Sequence, residues 1–119
     1  MGTGSIRGIP MLARLYRAGF HVWPFQVAAF PLVLEIYPRW FTGAVVKSSL
    51  RARAVYLQQP RFAQLSKDVL ATAAASEDAF DALCSVVGMV EHAAHLTTLT
   101  EASDERTRLE GAIWQPTPR

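Results

Sequence analysis

The stretch Phe30-Pro31-Leu32-Val33-Leu34-Glu35-Ile36-Tyr37-Pro38 decides how this chain can fold. Aliphatic residues bounded by prolines are typical of a β-strand that is covered on both faces. Glu35 interrupts this run, and burying its ionised carboxylate costs several kcal/mol unless a cation, a metal ion or hydrogen bonds compensate. The pattern therefore indicates a functional site at Glu35. Two alternatives stay open: an edge strand on which Glu35 faces water, and an ion pair with Arg39 or Lys47.

A second acidic signal lies in Ser-Glu-Asp-Ala-Phe-Asp-Ala, residues 76–82, at the start of a long predicted helix. Asp78 and Asp81 are three residues apart, so a helix places them on one face. If that face docks beside the strand that carries Glu35, three carboxylates converge, and such oxygen ligands suit Mg²⁺ or Mn²⁺. Two such ions can catalyse phosphodiester cleavage. Ordinary capping of the helix start explains the same acidic residues and remains an alternative.

The period of this last helix predicts which side faces the core. One side combines large apolar residues, and the opposite side combines acidic, small and polar ones. The predicted core stripe is Phe80, Leu83, Val87, Val90 and Ala94, and the predicted site face is Asp78, Asp81, Ser85, Gly88 and His92.

Length and composition limit the function classes. The 119 residues suffice for one small domain, residues 1–119, and half of them are apolar. A net charge of +2 permits contact with nucleic acid without arguing for it. Lys47, Arg51 and Arg53 form a small basic cluster that can follow a nucleic-acid backbone, with Lys47 and Arg51 as the predicted contacts; a solvated loop and helix face is the alternative. The single cysteine, Cys84, excludes an internal disulfide and a cysteine zinc site, and is expected to be buried.

No segment is long and apolar enough to span a bilayer, and the first residues do not resemble a signal peptide. We therefore expect a cytoplasmic protein without a membrane partner. Coarse reading of the chain predicts an α/β pattern, α-β-β-α-α-α, whose short sheet is flanked by helices. The predicted helices cover residues 10–19, from 48 or 49 to 58, 62–74 and 76–99, and the predicted strands cover residues 20–25 and 32–37, with residues 109–114 as a further strand or an extended tail. Pro10 suits a first helical turn, Gly19 suits a helix C-cap, and Ser76 suits the N-cap of the last helix.

Several segments resemble the domain-of-unknown-function family four-twenty-nine, a group of predicted nucleases of the RNase H-like superfamily. The segments that carry this resemblance occur in order: His-Val-Trp-Pro-Phe (21–25), Leu-Glu-Ile-Tyr-Pro-Arg (34–39), Thr-Gly-Ala-Val-Val-Lys-Ser-Ser (42–49), Ser-Glu-Asp-Ala-Phe-Asp-Ala (76–82) and Leu-Glu-Gly-Ala-Ile-Trp-Gln-Pro (109–116). The resemblance implies a metal-dependent nuclease that acts on DNA or RNA. It implies that Glu35, Asp78 and Asp81 are the catalytic metal ligands for Mg²⁺ or Mn²⁺, and that Lys47 contacts phosphate or a carboxylate.

The chain departs from that family pattern in one important respect. The RNase H-like fold begins with strands that carry a catalytic aspartate, whereas no acidic residue precedes Glu35. We therefore expect a partial RNase H-like fold that lacks its N-terminal strands, with impaired activity. The alternative function is a non-catalytic remnant or interaction module, which forms a homodimer or docks on a partner chain through an uncovered sheet edge. A strand covered on both faces needs neighbours on both edges, and this sequence does not obviously supply them.

Overall fold

The computed structural model describes residues 3–116 and has a mixed α/β architecture in which helices predominate. Two short sheets, each with two strands, pair β1 with β2 and β3 with β4. In chain order the elements are α1 (Thr3–Arg17), β1 (His21–Val22), β2 (Leu32–Val33), β3 (Glu35–Ile36), α2 (Arg39–Thr42), α3 (Leu50–Tyr56), a 3-10 helix (Pro60–Phe62), α4 (Lys67–Ala75), α5 (Glu77–Glu91), α6 (Ala93–Leu96), α7 (Glu105–Glu110) and β4 (Ile113–Trp114).

The chain divides into two compact units, each built from separated segments. Unit 1 combines the chain up to Glu35 with Ala94–Trp114, and unit 2 combines Ile36–Ala93 with the described residues after Trp114. The units are described separately below.

Serine side chains begin the three main helices of unit 2. The hydroxyls of Ser49, Ser66 and Ser76 accept hydrogen bonds from main-chain N–H groups in the first turns of α3, α4 and α5. Each bond satisfies a donor that has no partner inside the helix, which is why serine favours this position. The predicted N-cap at Ser76 is therefore confirmed, and Ser49 is the one of the two predicted starts that caps α3.

Three predicted helix boundaries are wrong. The helix expected over residues 62–74 begins only at Lys67, because Ser66 caps it and the preceding residues form a 3-10 turn. The helix expected to continue to residue 99 ends at Glu91, where His92 leaves helical geometry with φ −110° and ψ 19°. Pro10, expected in a first helical turn, lies inside α1, which already begins at Thr3.

Aromatic packing forms the core of unit 2. Phe62 and Phe80 are fully buried, and both rings lie against Tyr56, at centroid distances of 5.8 and 5.6 Å. The Tyr56 hydroxyl donates a 2.7 Å hydrogen bond to the main-chain oxygen of Phe41 and so links α3 to α2. Cys84 is also completely buried, as predicted.

Helix α5 turns a different face inward from the one that its apolar period predicts. Phe80 is buried as expected, but Val90 is 70% exposed, whereas Ser85 on the predicted site face is only 4% exposed. The reason is a close approach of α2 to α5 at Gly88. A Cβ atom at Gly88 would lie 2.1 Å from Cδ1 of Phe41, so only glycine lets this ring pack there. The predicted core stripe is therefore confirmed at Phe80, only partly buried at Leu83 and Val87, and wrong at Val90 and Ala94, which are exposed.

Unit 1 contains a parallel pair of very short strands. Helix α1 is followed by Gly19, whose φ of +96° confirms its predicted role as a helix C-cap. His21 then pairs with Leu32 and Val22 with Val33 in parallel register. The amides of His21 and Trp23 donate to the main-chain oxygens of Pro31 and Val33, both at 2.9 Å.

The strand that carries Glu35 is not covered on both faces as predicted. Leu32, Val33 and Leu34 are only partly buried, and Glu35 itself is exposed. The chain after α6 binds the segment directly after β1. The Trp23 indole donates to the main-chain oxygen of Thr100 at 2.8 Å, and the main-chain N–H of Ala102 donates to the oxygen of Pro24 at 2.8 Å. The expected burial penalty on Glu35 is thus avoided by exposure.

We expect Gly88→Ala to destabilise unit 2 by about 1–3 kcal/mol, since the new methyl group overlaps the Phe41 ring. Helix propensity alone predicts the opposite sign, a gain of up to about 1 kcal/mol. Urea unfolding followed by circular dichroism measures the difference. Val86→Ala, at a position 56% exposed on the same helix, is the matched control and should change stability by less than about 0.5 kcal/mol. A stabilised Gly88→Ala variant would contradict the close approach.

Candidate functional site

Asp81 forms the most organised charged contact among the three predicted ligands. The Lys47 ammonium group donates to both carboxylate oxygens, at 3.0 and 2.9 Å, across 34 residues of chain. The two side chains are only 24% and 23% exposed, so water screens the pair less than it screens a surface pair. The pair ties the loop before α3 to the start of α5.

Arg53 positions the main chain of Lys47. Its side chain is buried, with 5% exposure, and one terminal nitrogen donates a 2.5 Å hydrogen bond to the carbonyl oxygen of Lys47. The Nε atom donates at 2.9 Å to the oxygen of Ala74, in the last turn of α4, where the helix dipole favours a cation. One buried guanidinium thus joins α3, the Lys47 loop and the end of α4.

The other two predicted ligands lie in different settings. Asp78 is exposed in the first turn of α5, where an acidic residue favours the helix dipole. Glu35 is exposed and belongs to unit 1, whereas Asp78 and Asp81 belong to unit 2. Over residues 3–116, no group of three or more His, Cys, Asp or Glu side chains is arranged to hold a metal ion.

The two predicted nucleic-acid contacts, Lys47 and Arg51, lie in different settings. Lys47 is engaged by Asp81, which fits the carboxylate contact that the resemblance implied, while Arg51 is exposed on α3. Arg53 belongs to the same predicted cluster but was not predicted as a contact, and it is the buried member. No local sequence signal distinguishes Arg53 from Arg51, because the difference depends on which carbonyl groups the fold brings near.

Two buried hydroxyl groups lie on the facing helices α2 and α5. Thr42 is fully buried and Ser85 is 4% exposed, and neither side-chain oxygen has a hydrogen-bond partner among the described residues. Ser85 is one turn beyond Asp81 on α5, so the inward face of this helix carries polar groups. Such groups are costly to bury, which distinguishes this face from an ordinary helix contact.

The thiol of Cys84 does not add a reactive group to this face. Burial raises its pKa to about 11, partly opposed by the positive charge of Arg61. The thiol therefore stays protonated near neutral pH, and a protonated, buried thiol is neither a good nucleophile nor a metal ligand.

The larger cavity described in unit 2 does not involve the predicted site residues. It has a volume of about 450 Å³ and lies between α4 and α5. Its lining is mainly small and apolar: Asp68, Val69, Thr72, Ala73, Ala79, Ala82, Leu83 and Val86. Without a converging set of polar groups it lacks the features of a catalytic pocket.

Within the described part of the chain, no helix combines the length and apolar character needed to cross a membrane. No protein-family model matches the sequence, and no curated protein or solved structure shows significant similarity to it. The resemblance to family four-twenty-nine, the RNase H-like assignment and the metal-ligand roles of Glu35, Asp78 and Asp81 therefore stay predictions.

We expect the Lys47–Asp81 pair to contribute about 1–2 kcal/mol to the stability of unit 2, more than a typical exposed pair because it is chelated and partly buried. A double-mutant cycle with Lys47→Met, Asp81→Asn and the double variant measures this coupling by urea unfolding. The exposed pair Arg106–Glu110 provides the matched control and should give less than about 0.5 kcal/mol. Equal coupling energies for the two pairs would contradict the structural role of the buried contact.

Proposed function

We propose that this chain is a non-catalytic interaction module, which binds a partner polypeptide through the uncovered sheet edge of unit 1. The observation that carries the proposal is the parallel pairing of β1 and β2, with two residues in each strand. Parallel sheets are normally extended by further strands and covered on both faces. A pair this short is only marginally stable alone, so it needs another strand or a packed surface to complete it.

The distribution of apolar side chains supports this proposal. Among the unit 1 residues whose burial is described, two large apolar side chains are buried, Leu96 and Trp114. Nine are exposed: Ile9, Met11, Leu12, Tyr16, Phe25, Val27, Phe30, Leu109 and Ile113. Unit 2 buries four large apolar side chains and exposes eight, so unit 1 holds the smaller share of its large apolar groups in its interior.

The charge pattern of the acidic residues points the same way. Asp81 already has a cationic partner in Lys47, and Asp78 lies in the first turn of α5, where the helix dipole favours an acidic residue. Neither contact requires a metal ion or a substrate. A structural role therefore explains both acidic residues. The uncovered strand edge of unit 1 has no such structural explanation.

A second candidate function is metal-dependent hydrolysis of nucleic-acid phosphodiesters. It is favoured by the geometry of Asp81, whose two oxygens converge on one cation, the Lys47 ammonium group. A carboxylate oriented in this way can chelate Mg²⁺ or Mn²⁺ if the lysine moves to a phosphate. Asp78 and Glu35 would be the further ligands. The first-strand carboxylate that the resemblance implies is not among residues 1–34, which contain no acidic residue.

We expect the purified chain to cleave neither DNA nor RNA in Mg²⁺ or Mn²⁺ faster than its Asp81→Asn variant. The reason is that the Lys47 ammonium group already binds both carboxylate oxygens of Asp81. Cleavage of labelled single-stranded, duplex and junction substrates provides the readout. Mn²⁺ titration calorimetry on the same proteins tests binding separately from turnover.

Asp68→Asn is the control for the loss of one negative charge in unit 2, since Asp68 is an exposed first-turn residue of α4 and is not one of the predicted ligands. Cleavage or Mn²⁺ binding that is lost in Asp81→Asn and retained in Asp68→Asn would reject the non-catalytic proposal in favour of the metal-dependent one. Equal heats for all three proteins would instead reject ligation by Asp81.

A further inference from the structure

The outer edge of β1 is already closed by a side chain. The main-chain N–H of Val22 donates a 2.9 Å hydrogen bond to the side-chain oxygen of Gln26. In return, the main-chain N–H of Gln26 donates at 3.0 Å to the main-chain oxygen of Val22. Gln26 thus satisfies both main-chain groups that a neighbouring strand would use at Val22. Strand addition at this edge would require breaking two hydrogen bonds within the chain.

The outer edge of β2 has no such closure. Pro31 and Val33 accept hydrogen bonds from β1, and main-chain groups of successive residues in a strand point to opposite edges. The N–H and C=O groups of Leu32 therefore point away from β1. No other described strand pairs with β2. One edge of this sheet is sealed, and the other presents main-chain groups to an incoming strand.

We propose that the strand which completes the β2 edge comes from a second copy of this chain. The inference rests on the proposed interaction function and names its partner. Two copies related by a two-fold axis at Leu32 would pair antiparallel, with each Leu32 donating to and accepting from the other. The result is a four-stranded sheet in the order β1-β2-β2-β1. An edge related to itself by a two-fold axis is self-complementary, so no different partner sequence is required.

The electrostatics of the edge favour a second copy. Residues 18–34 contain no Asp, Glu, Lys or Arg, so two copies of this segment meet without repulsion between like charges. Edge strands that must avoid pairing usually carry such charges, especially lysine. Val27 and Phe30, which lie between the two strands in sequence, are 53% and 65% exposed and offer apolar area for the same contact.

The sealing of β1 by Gln26 limits the assembly to two chains. Within the β1–β2 sheet each copy contributes one open edge, and these two edges satisfy each other in the dimer. A sheet with two open edges could instead continue from chain to chain as a fibre. Gln26 is therefore the residue that makes the contact a closed dimer.

The closing experiment measures the molar mass of the full chain by light scattering from about 10 μM to about 1 mM, a range that covers weak association. We expect the mass to rise with concentration to twice 13.1 kDa and no further. Leu32→Pro removes the outward-facing N–H and leaves the main-chain groups that bind β1 in place, and it should weaken the dimer at least tenfold. Phe30→Lys should do the same by placing a cation in each copy, in case proline disturbs folding. Val90→Lys, exposed in unit 2, is the matched control and should leave the mass unchanged.

Gln26→Ala tests the sealing of β1 independently. We expect this variant to form species larger than a dimer, while Gln64→Ala, an exposed glutamine of unit 2, remains dimeric. A wild-type chain that stays monomeric throughout the range would overturn the second copy as partner. A dimer that both Leu32→Pro and Phe30→Lys leave intact would overturn the edge as the interface. The cleavage and Mn²⁺ assays on the proposed function are independent of both outcomes.

Discussion

An unpaired strand edge is the constraint on which the behaviour of this chain depends. Main-chain N–H and C=O groups need partners, and a parallel pair with two residues in each strand leaves its outer groups to water or to another strand. The chain satisfies one edge with the side chain of Gln26 and leaves the Leu32 edge open. Phe30 and Val27 are exposed, which is consistent with a sheet that lacks a further strand or covering surface, because nothing in unit 1 buries these side chains.

Unit 2 meets its constraints internally. Arg53 links α3 to the Lys47 loop and to the end of α4, and Lys47 in turn holds Asp81 at the start of α5. Aromatic packing around Tyr56 provides the apolar part of the same unit. The acidic residue that most resembles a metal ligand therefore also has a structural explanation, and its charge alone does not distinguish catalysis from folding.

Local chemistry could be predicted from the sequence, and long-range contacts could not. Ser76 and Gly19 were identifiable because a helix cap depends on a few neighbouring residues. The inward face of α5 was missed because it depends on the approach of Phe41 to Gly88, which no helical period encodes. The same limit applies to the Lys47–Asp81 pair, whose members are 34 residues apart and meet only after folding.

The Glu35 strand illustrates how one correct observation can lead to an incorrect structural expectation. Its apolar run does form β-structure, in β2 and β3, but the run is too poorly covered to bury the carboxylate. Apolar composition reports that a strand is able to be buried, and neighbouring strands decide whether it is. The sequence resemblance predicts that further strands lie beside this one. The open edge of β2 is observed independently of that resemblance, because β2 pairs only with β1 among the described strands.

Native-state hydrogen exchange of the dilute chain tests most directly whether unit 1 is incomplete without a partner. Exchange at main-chain amides reports the free energy of local opening. The Trp23 main-chain N–H is bonded to Val33 in unit 1, and the Arg53 main-chain N–H is bonded to Ser49 in unit 2. We expect the free energy of opening to be smaller at Trp23 than at Arg53, so that Trp23 exchanges faster. We also expect the Leu32 amide to exchange without protection. Equal protection of Trp23 and Arg53, together with a protected Leu32 amide in the monomer, would show that the edge is already satisfied and would contradict the interaction proposal.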